Sequence, residues 1–84
     1  MNNKVCVELK VPMIEAKYDL FIPVNKKTIE IIFLLNKAIN EMTDNNFPYN
    51  THLSLIDGRS GLIYNNDLTI KENQILNGSK LILL

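Results

Sequence analysis

The sequence lacks several things, and each absence removes a class of function. It has no tryptophan, one cysteine (Cys6), one histidine (His52), three glycines and three prolines in 84 residues. One cysteine cannot close an internal disulfide, so the chain is no disulfide-stapled scaffold. One histidine leaves no His-rich metal constellation. Nine basic residues balance nine acidic ones, which removes the positive footprint of a nucleic-acid binder. No apolar run approaches the roughly 18 residues of a membrane-spanning helix. The first residues, MNNKVCVELK, alternate and carry charge, unlike a signal peptide. A cytoplasmic location is expected. A composition 46% hydrophobic and 21% charged is that of a folded domain, and the length suits one domain spanning residues 1–84.

What is present is one helical period set among alternating runs. From Lys26 to Met42, apolar residues recur every three or four positions. This spacing predicts a helix whose buried stripe is Ile31, Ile32, Leu35, Ala38, Ile39 and Met42, with Glu30, Lys37 and Glu41 opposite. Asn25 is its expected N-cap, and Asp44 to Pro48 end it. Residues 4–11 alternate with Val5, Val7, Leu9 and Val11 on one side, a half-buried strand. Residues 12–17 read as a reverse turn. Residues 18–24 alternate again with Tyr18, Leu20, Ile22 and Val24 inward, and Pro23 marks an edge or a strand end. Phe47 and Tyr49 are expected to fold over the end of the helix. Further strands are expected at 51–56, at 62–64 and in the final residues, with Leu81 and Leu83 inward. Ile75 reads as an apolar plug, and Gly78 as a residue with positive φ. The first strand is expected to pair in parallel with the last, at the centre of the sheet.

No set of residues reads as catalytic. His52 is expected on the solvent face of a strand, and catalysis needs a second group within reach. Cys6 is expected on the outer face of a central strand, with no histidine or helix start beside it to activate the thiol. Asp57-Gly58-Arg59-Ser60-Gly61 has glycines but neither a Lys-Ser/Thr pair nor a following helix, so it reads as a turn and not a phosphate loop. The expectation is a protein that is not an enzyme and has no cofactor, no metal, no nucleic-acid partner and no small-molecule substrate.

Hairpin, helix, strand, short strand, loop and strand is the order of the α+β β-grasp, or ubiquitin-like, fold: a four- to five-stranded mixed sheet packed on one helix. The chain resembles the small ubiquitin-like proteins of bacterial type VII secretion loci, the YukD and EsaB proteins. Four stretches carry the resemblance: Tyr18-Asp19-Leu20 with Pro23 following, the helical spacing of Ile31, Ile32 and Leu35, the run LIYNNDL, and the closing run from Ile75 to Leu84. The resemblance implies an accessory role in secretion through protein–protein contacts, with membrane-bound secretion subunits or the chain itself as partners. Ubiquitin-type modifiers and sulfur carriers of this fold need a flexible C-terminal diglycine. This sequence stops at Leu83-Leu84, so conjugation is not expected. The alternatives are a modifier or sulfur-carrier relative, and a generic β-grasp adaptor.

Some apolar residues do not fit the core pattern. Ile29, Phe33 and Leu34 fall off the helical stripe. Either the 44–50 loop or the sheet edge covers them, or they form a partner surface. On the sheet, Cys6, Phe21, Ile82 and Leu84 are either a second patch on the outer face or scattered single exposures.

Overall fold

The computed structural model describes residues 3–45, 47 and 52–84. Two eight-residue strands, β1 (Lys4–Val11) and β2 (Ala16–Pro23), pair antiparallel along their whole length, from Lys4 opposite Pro23 to Val11 opposite Ala16. Between them lies one turn of 3-10 helix, Pro12–Ile14, closed by Glu15 at φ 51°. Proline suits the first helical position because its missing N–H would have no partner there. The turn is therefore shorter than the sequence suggests, and β2 starts two residues earlier.

Helix α1 runs Thr28–Met42, followed by β3 (Leu55–Asp57) and β4 (Lys80–Leu83). The strand order is β2-β1-β4-β3, with β1 and β4 parallel and β3 antiparallel to β4. The parallel pairing of the first and last strands is as the sequence predicts. These two central strands place Val7, Leu9, Val11, Leu81 and Leu83 in the core, each at most 1% exposed. Ile31, Ile32, Leu35 and Ile39 of α1 join them in one cluster, together with Ile22, Leu53, Leu55, Ile70 and Ile75. Burying one such side chain contributes about 1.5–3 kcal/mol. Val5, Tyr18, Leu20 and Val24, expected inward, pack half-buried at the margin of this cluster.

The helix ends at Met42 as expected but differs from its expected form at its start. It begins at Thr28, and its N-cap is Lys27 in an extended conformation rather than Asn25. The reason lies in the loop after β3. Lys27 forms a bridge with Thr69, and the Thr28 and Ile29 N–H groups donate to the carbonyls of Leu68 and Asn66 at 2.8 and 3.1 Å. Backbone carbonyls thus satisfy helix-start donors that a capping side chain would otherwise take. Within the helix, Ala38 and Met42 are exposed, whereas Thr28, Asn36 and Asn40 are buried. Asn40 is tolerated inside because its amide donates to the Phe47 carbonyl at 2.8 Å. Phe47 is itself buried, so it does fold into the core; Tyr49 lies outside the described residues.

The strand expected at 51–56 is shorter, Leu55–Asp57, and His52 is an exposed turn residue ahead of it. At 62–64 there is one isolated bridge, Ile63 to Ile56, so the sheet has four strands. Gly78 does take a positive φ, 84°. Its N–H donates to the Cys6 carbonyl at 2.8 Å, and the Cys6 N–H donates to Asn77 Oδ1 at 2.8 Å, which ties this turn to β1.

Candidate interaction surface

A 15-residue helix on one face of a sheet can bury only part of its circumference. The buried arc of α1 carries Thr28, Ile31, Ile32, Leu35, Asn36, Ile39 and Asn40. The remaining arc faces away from the sheet. On it, Ile29 is 44% exposed, Phe33 63% and Leu34 47%. These three residues line an open, shallow depression of about 390 Å³ together with Lys26 and Glu30. The described part of the 44–50 loop does not cover them, since Phe47 turns into the core. Lys37, Ala38 and Glu41 continue the same exposed arc. Among the described residues, the ion pairs are Lys17 and Lys80 with Glu8, at 3.8 and 3.5 Å on the sheet. The helix charges Glu30, Lys37 and Glu41 make none there.

The four residues expected on the outer face of the sheet form no single patch: Cys6 and Phe21 are paired, and Ile82 and Leu84 lie apart from them. Phe21 sits opposite Cys6 on β2, and Lys10 sits opposite Ile82. The register therefore places Phe21 and Leu84 toward opposite ends of the strands, about 20 Å apart at 3.3 Å per residue. Glu8, with Lys17 and Lys80 paired to it, occupies the ground between. Phe21 and Leu84 are exposed and Ile82 is half-buried. Cys6 is half-buried in the central strand.

The sheet instead gathers a row that the sequence reading missed. Ile82 is opposite Ile56, and Ile56 is bridged by Ile63. Directly opposed residues share a face, so the three isoleucines lie side by side on the outer surface, Ile63 being exposed. The signal was present in Ile63: an apolar residue in a segment too short to be buried.

Two turns carry the perturbed carboxylates. Asp57 accepts the Arg59 N–H at 3.0 Å and the Ser60 hydroxyl at 2.9 Å. These bonds favour the charged form and hold the Asp57 carboxyl below its ordinary value, the Arg59 amide contributing most. Glu72 accepts the Thr69 N–H at 2.9 Å, and its own N–H donates to the Thr69 hydroxyl at 3.0 Å. This reciprocal pair is a capping box, legible as Thr69-x-x-Glu72, and the Thr69 N–H lowers the Glu72 carboxyl. Burial raises the Tyr64 phenol, and the negative Asp57 raises it further. These are turn-building contacts. Among the described residues no three His, Cys, Asp or Glu side chains are grouped to hold a metal ion. No helix among them is long and apolar enough to cross a membrane.

No protein-family model matches the chain, and no curated protein matches it significantly. Solved structures do match. The chain is similar to the ubiquitin-like domain of EccD5 from Mycobacterium xenopi, with a TM-score of 0.79 at 15% identity, covering 99% of this chain and 94% of that one. It is similar to the ubiquitin-like domain of the Mycobacterium tuberculosis type VII secretion protein ECCD1, with a TM-score of 0.72 at 14% identity over 100% and 99% of the two chains. It is also similar to the UBL domain of yeast Ddi1, with a TM-score of 0.69 at 13% identity over 99% and 90%. At such identities the similarity speaks for architecture: the chain has the ubiquitin-like β-grasp fold, a mixed four-stranded sheet on one helix.

Proposed function

We propose that the chain is a non-enzymatic, cytoplasmic accessory component of a bacterial type VII secretion system, of the YukD/EsaB kind, and that it acts by protein–protein contact rather than by conjugation. The observation that carries this reading is the likeness, over nearly the whole chain, to ubiquitin-like domains of two EccD secretion proteins. The surface supports a contact role. It offers exposed apolar residues on α1 and at the sheet edge, while the perturbed carboxylates are engaged in their own turns.

Deletion of the gene in its host tests the secretion role. Loss of export of the small helical-hairpin substrates is expected, restored by the wild-type gene; unchanged export would refute the role. Intact-mass measurement after incubation with an activating enzyme and ATP tests the second element. No mass change is expected, and an adenylate or adduct at Leu84 would assign the chain to the modifier or sulfur-carrier class instead.

A further inference from the structure

The exposed arc of α1 has an internal symmetry. Take the midpoint between Phe33 and Leu34. Glu30 and Lys37 lie at equal distances on either side of it, and so do Ile29 and Ala38. Every such pair is either two apolar residues or two opposite charges. All six residues are exposed. Within one chain, Glu30 and Lys37 are two turns apart, roughly 10 Å along the axis, too far to pair with each other. Among the described residues neither makes an ion pair.

A two-fold axis through that midpoint, relating two antiparallel copies of α1, changes this. An isologous interface sets residue i of one copy against residue j of the other, and j against i. Phe33 and Leu34 of both copies gather at the axis. Glu30 of each copy meets Lys37 of the other. We infer that the outer face of α1 is a self-association surface whose occupant is a second copy of this chain, held antiparallel about Phe33 and Leu34. The inference stands on charge complementarity and does not depend on the secretion reading. One helix face is small beside the roughly 1,200 Å² of a stable complex, so the dimer is weak and exchanges rapidly, with a dissociation constant of about 0.1–1 mM.

Sedimentation equilibrium of the full chain up to about 1 mM, at low salt, tests this. The wild-type chain is expected to show concentration-dependent dimerisation that weakens as salt rises. Glu30→Lys and Lys37→Glu are expected, each alone, to reduce association at least tenfold. An equimolar mixture of those two variants is expected to associate again, and so is the double variant carrying both changes. Phe33→Ser is expected to abolish association without rescue. Circular dichroism checks that each variant keeps its helix, as substitution at exposed positions should allow. A wild-type chain that stays monomeric at 1 mM overturns the proposal. So does a mixture that associates no better than either variant alone, or a double variant that stays dissociated, because the antiparallel register makes the two changes complementary in both.

Discussion

The Asn73 amide nitrogen lies 2.8 Å from the Thr28 hydroxyl and donates to it. The same nitrogen donates to the Asn65 carbonyl at 2.8 Å, and the Thr28 hydroxyl donates to the Leu68 carbonyl at 2.9 Å. Thr28 is fully buried. Its hydroxyl therefore joins the first turn of α1 to the loop after β3 through a relay of three groups.

Breaking this relay should cost stability. Thr28→Val keeps the shape and removes the hydroxyl, so the Leu68 carbonyl and the Asn73 amide each lose one of their two bonds. A loss of about 0.5–1.5 kcal/mol is expected in urea unfolding. In a double-mutant cycle with Asn73→Ala, a coupling of at least about 0.5 kcal/mol is expected. Additive effects would show that the contact contributes nothing as a unit.

Two glycines should fail for different reasons. A Cβ on Gly58 would stand 2.9 Å from the Lys80 carbonyl oxygen, whereas a Cβ on Gly78 meets nothing within 4 Å but sits at φ 84°. Gly58→Ala is expected to cost about 1–3 kcal/mol through overpacking against β4. Gly78→Ala should cost about 1–2 kcal/mol through the left-handed backbone. Asparagine separates the causes, since it tolerates that backbone. Gly78→Asn should recover part of the loss, and Gly58→Asn should recover none.

The last two residues of the expected helical stripe should respond unequally. Ile39 is 1% exposed and Met42 is 56% exposed. Ile39→Ala is expected to cost about 2–5 kcal/mol, and Met42→Ala less than about 0.5 kcal/mol. Equal losses would place Met42 in the core after all.

Acid should loosen both carboxylate turns. Asp57 and Glu72 have lowered values in the folded chain. Each therefore adds stability that is present above the ordinary carboxylate range near 4 and is lost as pH falls through the folded value. Both groups are well solvated, so the effect is modest and screened by salt. Unfolding midpoints measured from pH 7 to pH 2.5 should decline in the acid limb, and the decline should be shallower in the Asp57→Asn, Glu72→Gln double variant. An unchanged slope would remove these turns from the acid response.

Period and alternation carried most of the architecture. Val7, Leu9, Val11, Leu81 and Leu83 alternate strongly enough to fix which face is buried, and a β-branched, leucine-rich pair of strands belongs at the centre of a sheet. Asn36 and Asn40 broke the helical reading, because a polar residue is buried only where a partner awaits it. For Asn40 that partner is a carbonyl seven residues away, which no periodicity reveals. Of the surface, Ile29, Phe33 and Leu34 were legible as a group because a helix carries its own geometry. Phe21, Ile82 and Leu84 were not. Their proximity depends on how two strands from distant parts of the chain are staggered, and stagger is set by packing. The row of Ile82, Ile56 and Ile63 was hidden for the same reason.

The place of β4 in the sheet bears on how the protein is made. Among the described residues β3 pairs with β4, and β4 pairs in parallel with β1. A growing chain thus completes its N-terminal hairpin early, yet a two-stranded hairpin is at best marginal in water. Until residues 80–83 leave the ribosome, β1 offers a bare edge backed by Val7, Leu9 and Val11, the kind of edge that recruits other chains. The central edge of the hairpin is therefore covered only when the last strand is in place.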